Sequence, residues 1–253
     1  MSAAALPLVL VFAGGARAGA IPPGSVRAGA RVIALTFDAA WSDGGAMEIL
    51  DTLRDRGIRA TFFIAGRFVA DHPDLVRRIA ADEHEVGNHT FHHDHLTRDT
   101  GPAGHVTRPG LTSSTLRDEL DRTANAYRSL TGRSLDPLWR APYGETNDEI
   151  LAWGREAGYA YVPWSEGLDA LDWVSDPASS LYQSPAQAVE RLLARLRDRP
   201  PSQGPAIVLM HLGSTRPAGA RFADALPRLI DGAILLGYRF ETAGTATREG
   251  DRP

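Results

Sequence analysis

From Arg31 onward, short unbroken apolar runs alternate with amphipathic stretches, and the alternation predicts strands and helices in succession. Residues 32–37 (VIALTF) read as a strand covered on both faces. A helix is expected over 45–56, with Met47, Leu50 and Leu53 at helical spacing and Gly57 ending it. Further strands are expected at 60–64 (ATFFI), 137–141 (PLWRA), 159–164 (YAYVPW), 206–210 (AIVLM) and 238–241. Helices are expected from near Pro73, with Leu75, Ile79 and Ala80 apolar, and over 147–157. A helix at 184–197 places Val189, Leu192, Leu193 and Leu196 on one face, and one at 222–236 does the same with Leu226, Leu229, Ile230 and Ala233. Thr112, Ser113, Ser114 and Thr115 offer N-caps for a helix through about Leu130, closed by Gly132. Residues 85–88 lead into a histidine-rich turn. The Gly-, Pro-, Thr- and His-rich stretch 94–110 is too long for an ordinary connection and reads as a functional lid or mobile insertion.

Roughly seven βα units with no internal repeat predict a single-domain α/β fold, a barrel of parallel strands, with a doubly wound open sheet as the alternative. No G-x-G-x-x-G follows the first strand, so the dinucleotide-binding form of that alternative lacks its phosphate loop; Gly44-Gly45 alone is a weak signal.

Composition narrows the function classes. With 27 Lys+Arg against 31 Asp+Glu the net charge is −4, and the Arg residues are spread singly, which disfavours nucleic acid as a partner. Cysteine is absent, which removes disulfides, thiolate metal sites and a Cys nucleophile. The first twenty residues carry an apolar run from Ala3 to Ala13 and then Ala16-Arg17-Ala18, a small-x-small pattern, so 1–20 reads as an export signal and 21–253 as the folded domain. No Lys or Arg precedes the run, as an export signal would ordinarily have, and a buried N-terminal helix is the alternative; the run falls well short of the roughly 20 residues of a membrane span, so no integral membrane segment is expected in the mature chain.

In such folds the chemistry sits where strands end. Asp38, His89 with His93 four residues on, Arg140, Glu166 with Asp169, and His211 fall at successive predicted strand ends, a hydrolase-like set. Singly each has a plain structural reading: Asp38 as a helix cap, Arg140 as a surface ion pair, His211 as a core histidine. Of 8 His, five (His84, His89, His92, His93, His95) fall between positions 84 and 95, a cluster that points to a metal. His89 and His93 would stand roughly 13 Å apart on a strand but about 6 Å apart on a helical turn, so a shared ion requires the strand to end near His89. His92 and His95 read as loop residues bonded to solvent or to the loop.

These residues fall into five short motifs in chain order: Thr36-Phe37-Asp38, His89-Thr90-Phe91-His92-His93, Arg140-Ala141-Pro142-Tyr143-Gly144, Asp169-Ala170-Leu171-Asp172-Trp173 and Leu209-Met210-His211. In this the chain resembles the polysaccharide deacetylases, carbohydrate esterase family 4 (the NodB-homology domain). The resemblance implies a distorted (β/α)7 or (β/α)8 barrel that removes N-acetyl, sometimes O-acetyl, groups from glycans with a divalent metal, zinc above all. It makes Asp38 the general base, His89 and His93 metal ligands and His211 the general acid. Arg140 is expected to orient Asp38, and Asp169, in preference to Asp172, to hold His211 protonated. The backbone N–H of Tyr143 is expected to help hold the oxyanion, and Trp173, with Trp41 and Trp164 as further candidates, to face a sugar ring.

One position departs from the pattern. The family's first motif is usually T-F-D-D, with the second Asp as a third metal ligand, and here Ala39 stands in its place. Three protein ligands are the norm for catalytic zinc, so the site is expected to be weak or incomplete unless Asp38 ligates, Asp43 reaches back, or substrate and water complete it. The leading expectation is a secreted or envelope deacetylase acting on a polysaccharide or oligosaccharide such as peptidoglycan or a chitin-like oligomer. The alternatives are a glycan-binding pseudoenzyme and a hydrolase of another non-peptide C–N bond.

Overall fold

Nine residues, Arg31–Ala39, form β1, and all but its first two are buried, as a strand covered on both faces must be. The computed structural model describes residues 31–99 and 105–250; the leader expected over 1–20 lies outside the described residues. The chain continues through α1 (Ala46–Asp55), β2 (Thr61–Ile64), α2 (Gly66–Asp71), α3 (Pro73–Ala81) and β3 (Glu85–Asn88). A hairpin of β4 (Thr97–Asp99) and β5 (His105–Thr107) precedes the long α4 (Ser113–Thr131). Then come β6 (Leu138–Trp139), α5 (Asp148–Glu156), β7 (Ala160–Tyr161), α6 (Pro185–Asp198), β8 (Ala206–His211), α7 (Leu226–Leu235), β9 (Tyr238–Phe240) and α8 (Ala243–Gly250).

Local chemistry sets the helix boundaries. Thr112 and Thr115 form a reciprocal capping box at the start of α4, and Gly132 ends that helix at φ 71. Asn147 and Ser184 cap α5 and α6 through their side chains. The helix expected over 222–236 is divided: a 3-10 turn at Phe222–Ala225 gives way to α7, whose first turn holds Pro227 where no N–H is needed.

The sheet is wholly parallel, in the order β7-β6-β3-β2-β1-β8, and β9 pairs with the start of β1. The outer edge of β8 is taken by residues 165–170, which follow from β7. Ser165 N–H donates to Ile207 O, Leu209 N–H to Leu168 O and Ala170 N–H to Leu209 O, each at 2.9 Å. The sheet therefore closes, and the result is the expected single-domain, distorted (β/α) barrel.

Alternation along β1 divides the interior in two. Ile33, Leu35, Phe37 and Ala39 belong to the large core between sheet and helices, with Leu50, Leu53, Leu192, Leu196 and Leu226. Val32 and Ala34 belong to a smaller cluster inside the barrel, with Phe63, Leu138, Val162 and Ile207. Ala243 and Ala246 of α8 plug that cluster from below, so only the opposite end, where Thr36 and Asp38 continue the inner row, is left for chemistry.

Two features differ from the expectation. The stretch 94–110 is not a plain loop, because β4 and β5 pair within it; its polar, glycine-rich composition masks the strands. The strand expected at 159–164 shortens to Ala160–Tyr161, and the following segment supplies the closing edge instead.

At the head of α2 a Cβ on Gly66 would stand 2.0 Å from the ring of Phe91. Gly66→Ala is expected to lower the unfolding free energy by about 1–3 kcal/mol through overpacking, read as a lower urea midpoint at unchanged slope. An unchanged midpoint would show that Phe91 yields freely.

Candidate active site

Strand register gathers the sequence candidates at one end of the barrel. Asp38 on β1 lies opposite His211 on β8. Asn88, the last residue of β3, lies opposite Trp139 of β6, so His89 and Arg140, each one step further on, leave the sheet side by side.

Arg140 is the most enclosed of these groups, with no exposed surface. Its Nη1 donates to Asp38 Oδ1 at 2.9 Å and to Thr36 Oγ1 at 2.8 Å, and its Nε to Val162 O at 3.0 Å. The guanidinium also lies over Phe63, 4.3 Å from the ring centre. Burial alone would raise the Asp38 carboxyl, but the charge and hydrogen bond of Arg140, with the charge of His211, hold Asp38 below its ordinary value.

His89 and His93 come together, but not on a turn of helix. β3 ends at Asn88, and Thr90 and His93 take left-handed backbone at φ 62 and 58. The ring centres are then 4.8 Å apart. The turn is held from several sides: Thr90 N–H donates to Asn88 Oδ1, His93 N–H to Thr90 Oγ1, and Gly66 and Arg67 N–H to the carbonyls of Thr90 and Phe91. Such over-determination is what lets non-glycine residues occupy this region. His89 Nδ1–H donates to Arg140 O at 2.8 Å, which leaves Nε2 facing Asp38 Oδ2 at 3.6 Å. Burial lowers the pKa of both rings, that of His93 to about 3, so both are neutral.

The expected partner of His211 is corrected. Asp172, not Asp169, holds it: His211 Nδ1–H donates to Asp172 Oδ1 at 2.8 Å, and its backbone N–H to Oδ2 at 2.9 Å. The Asp169 carboxylate instead accepts the N–H of Leu171 at 2.7 Å and the indole N–H of Trp173 at 3.4 Å. That bond caps a turn in which Leu171 is left-handed (φ 55), and the turn swings Asp172 beneath the imidazole. Burial would lower the His211 pKa, but the charge and hydrogen bond of Asp172, with Asp38 and Asp169 behind it, push it up to about 9.

Aromatic side chains rim the opening. Tyr143 (φ 58) is 53% exposed, stacked on His95 at 4.0 Å and 4.7 Å from the His93 ring; Trp173 is 53% exposed. Trp164 is a wall rather than a platform, since a Cβ on Gly144 would meet its ring at 2.4 Å. Glu166 is exposed and makes no bond to this cluster.

His93 Nδ1 is buried without a hydrogen-bond partner, and two neutral imidazoles side by side are suitable donors to a metal ion. The third ligand is missing: Ala39 packs in the outer core, and Asp43 is turned to His72, its carboxylate 3.7 Å from Nδ1. No group of three His, Cys, Asp or Glu among the described residues is arranged to hold an ion, so these residues do not fit a three-ligand catalytic zinc.

Three supporting residues escape sequence reading. Glu119 on α4 accepts the N–H of Phe91 and of His92, both at 2.9 Å, and the ring N–H of His92 at 2.6 Å, clamping the histidine turn. Glu145 does the same for the next stretch through His95, Leu96 and Thr97. Arg216, 3% exposed, donates to the carbonyls of Leu171, Val174 and Gln183, fixing the loop that carries Asp172. Only the pattern His92–Glu119 and His95–Glu145, two histidines each needing an acid, was open to inference, and nothing in the sequence paired them.

The geometry separates the two aspartates by experiment. In kcat/KM against pH, the basic limb is expected near about 9, where His211 loses its proton. Asp172→Asn removes the main cause of the raised value and should move that limb down by a unit or more, whereas Asp169→Asn should move it less. The reverse order would overturn the assignment.

Comparison with known proteins identifies the family and the fold. The family model described as polysaccharide deacetylase matches residues 25–162. A chitooligosaccharide deacetylase of Bradyrhizobium is 34% identical over 185 residues, covering 73% of this chain and 72% of the relative. A peptidoglycan-N-acetylmuramic acid deacetylase of Bacillus subtilis is 32% identical over 143 residues, 56% of this chain and 49% of that protein. Among solved structures, a CE4 family pseudoenzyme of Bacillus anthracis superposes with a TM-score of 0.67 at 24% identity over 86% of this chain and 65% of the other, a likeness of fold. The chain belongs to the polysaccharide deacetylase family, hydrolases of carbon–nitrogen bonds other than peptide bonds.

Proposed function

We propose that the chain hydrolyses the N-acetyl groups of a glycan, peptidoglycan or a chitin-like oligomer, at the cell envelope or outside the cell. One observation carries this reading: Asp38 and His211 face each other in register with opposite proton affinities, the first held anionic and the second protonated at neutral pH. A pair of groups driven apart in this way is suited to act as base and acid in one reaction. The envelope location follows from the substrate and from the leader expected over 1–20. Among the described residues no helix is long and apolar enough to cross a membrane.

In the proposed reaction Asp38 takes a proton from a water as its oxygen attacks the acetamide carbonyl carbon. Arg140 fixes the carboxylate through Nη1 and keeps it charged. The oxyanion that forms is met by the backbone N–H of Tyr143, at the exposed left-handed turn beside His93. His211 then gives its proton to the departing sugar nitrogen as the C–N bond breaks, so acetate leaves and a free amine remains. Asp172 holds the imidazole in the tautomer that presents Nε2 to this nitrogen. A divalent ion, zinc by the family's habit, would supply Lewis-acid polarisation of the carbonyl; it would find two imidazoles here, and the steps above rest on the chain's own groups.

The test is acetate release from N-acetylated oligosaccharides, with chelator and again with added zinc or cobalt. Release by the wild-type chain is expected, and His211→Ala should reduce kcat at least 10²-fold with the fold intact by circular dichroism. Full activity of that variant would remove His211 from its role. The glycan-binding pseudoenzyme, which Ala39 favours, predicts affinity without release under every metal condition.

A further inference from the structure

Beside the reacting groups, on the lip of the barrel, Trp41 follows β1 and remains 52% exposed. Its ring meets that of His93 edge on, 5.7 Å between centres, so it stands next to the reaction site and not on a remote face. The loop that carries it is held rigidly. His72 Nε2–H donates to Trp41 O at 3.0 Å, Leu212 N–H to Asp38 O and Ser214 N–H to Gly44 O, both at 2.9 Å. Gly213 lies so close that a Cβ there would be 1.5 Å from Ser42 O. A large apolar ring kept out in solvent by a stiff loop is preorganised for a partner and loses little entropy on binding.

The partner's charge follows from Arg67. Its backbone is tied to the histidine turn through Phe91 O, and its guanidinium lies 5.6 Å from the Trp41 ring centre. The side chain is exposed, and no carboxylate among the described residues forms an ion pair with it. Asp43, the acid on the same loop, sits 3.7 Å from His72 Nδ1. An indole takes the C–H face of a pyranose, and a guanidinium fork takes a carboxylate by two parallel hydrogen bonds. A neutral amino sugar would use the ring and leave the cation idle.

We infer that Trp41 and Arg67 form a subsite for a carboxylate-bearing sugar adjoining the unit whose acetamide is hydrolysed; this rests on the glycan reading of the mouth. The carboxylate can come from a lactyl ether, as on a muramic acid unit free of peptide, or from a uronic acid.

Binding is measured by calorimetry in a His211→Asn background, in which oligomers stay intact. The probes are chitotetraose, a peptide-free muramic acid-containing tetrasaccharide, its methyl ester, and a uronic acid-containing tetrasaccharide. At least one acidic probe is expected to bind about tenfold more tightly than its neutral counterpart, and the tighter of the two names the source. Arg67→Gln should abolish that preference and Arg67→Lys retain part of it; Trp41→Ala should weaken acidic and neutral probes alike. If neither acidic probe binds more tightly than its neutral counterpart, the methyl ester for the muramic acid probe and chitotetraose for the uronic acid probe, or if the preference survives Arg67→Gln, the subsite is overturned. Failure of the wild-type chain to release acetate from any probe would instead count against the deacetylase reading, and the affinity comparison would still decide the subsite.

Discussion

Everything at the mouth of this barrel is organised around one buried cation. The Arg140 guanidinium has no contact with water, and it bonds to β1 through Thr36 and Asp38 and to the chain beyond β7 through Val162 O. A charge in that position is tolerated only where a counter-charge and good acceptors surround it, and loss of one partner from such a pair costs about 3–5 kcal/mol. The same contacts that make the guanidinium tolerable hold the carboxylate anionic and aimed at the opening. Arg140 Nη2 is buried without a hydrogen-bond partner, so the bonds of Nη1 to Asp38 and Thr36 are the ones that hold the cation in place, and a change at either residue adds to a deficit already present.

A second device recurs around the rim: acceptor side chains that hold a strained backbone. Thr90, His93, Tyr143 and Leu171 all adopt left-handed backbone without being glycine, at a cost of order 1–3 kcal/mol each. Asn88 and Glu119 hold the first pair by accepting N–H groups, Glu145 anchors His95, whose ring stacks on Tyr143, and Asp169 with Arg216 holds Leu171. His93, Tyr143 and Asp172 owe their directions to these turns, so residues set back from the opening decide how its side chains stand.

That division explains what could be read from the sequence. Parallel strands with helices on both sides need unbroken apolar runs, so β1, β2 and β8 were legible, as were the caps Thr112 and Ser184 and the stop at Gly132. Asp38, His89, Arg140 and His211 were legible as polar residues ending such runs, and register brings them together. The exchange of Asp169 for Asp172 was not, because it turns on one left-handed leucine, a state with no mark in composition. Glu119 lies on a helix rich in charged residues, and its contact with His92 exists only once α4 packs on the histidine turn. The α8 plug was missed for a different reason: its Ala, Gly and Thr residues fill a narrow space with little hydrophobic signal.

The double pairing of β1 bears on the order of events during synthesis. This strand is the first of those described to leave the ribosome, yet it pairs along one edge with β8 and β9, strands about 170 residues or more later in the chain. Neighbours of such sequence separation form late, because closing the intervening loop must precede any contact that rewards it. Asp38 is therefore made early and His211 late, and the two meet only when nearly the whole barrel has emerged. A growing chain therefore carries Asp38 long before His211, and the facing pair exists only once the chain is complete enough to fold.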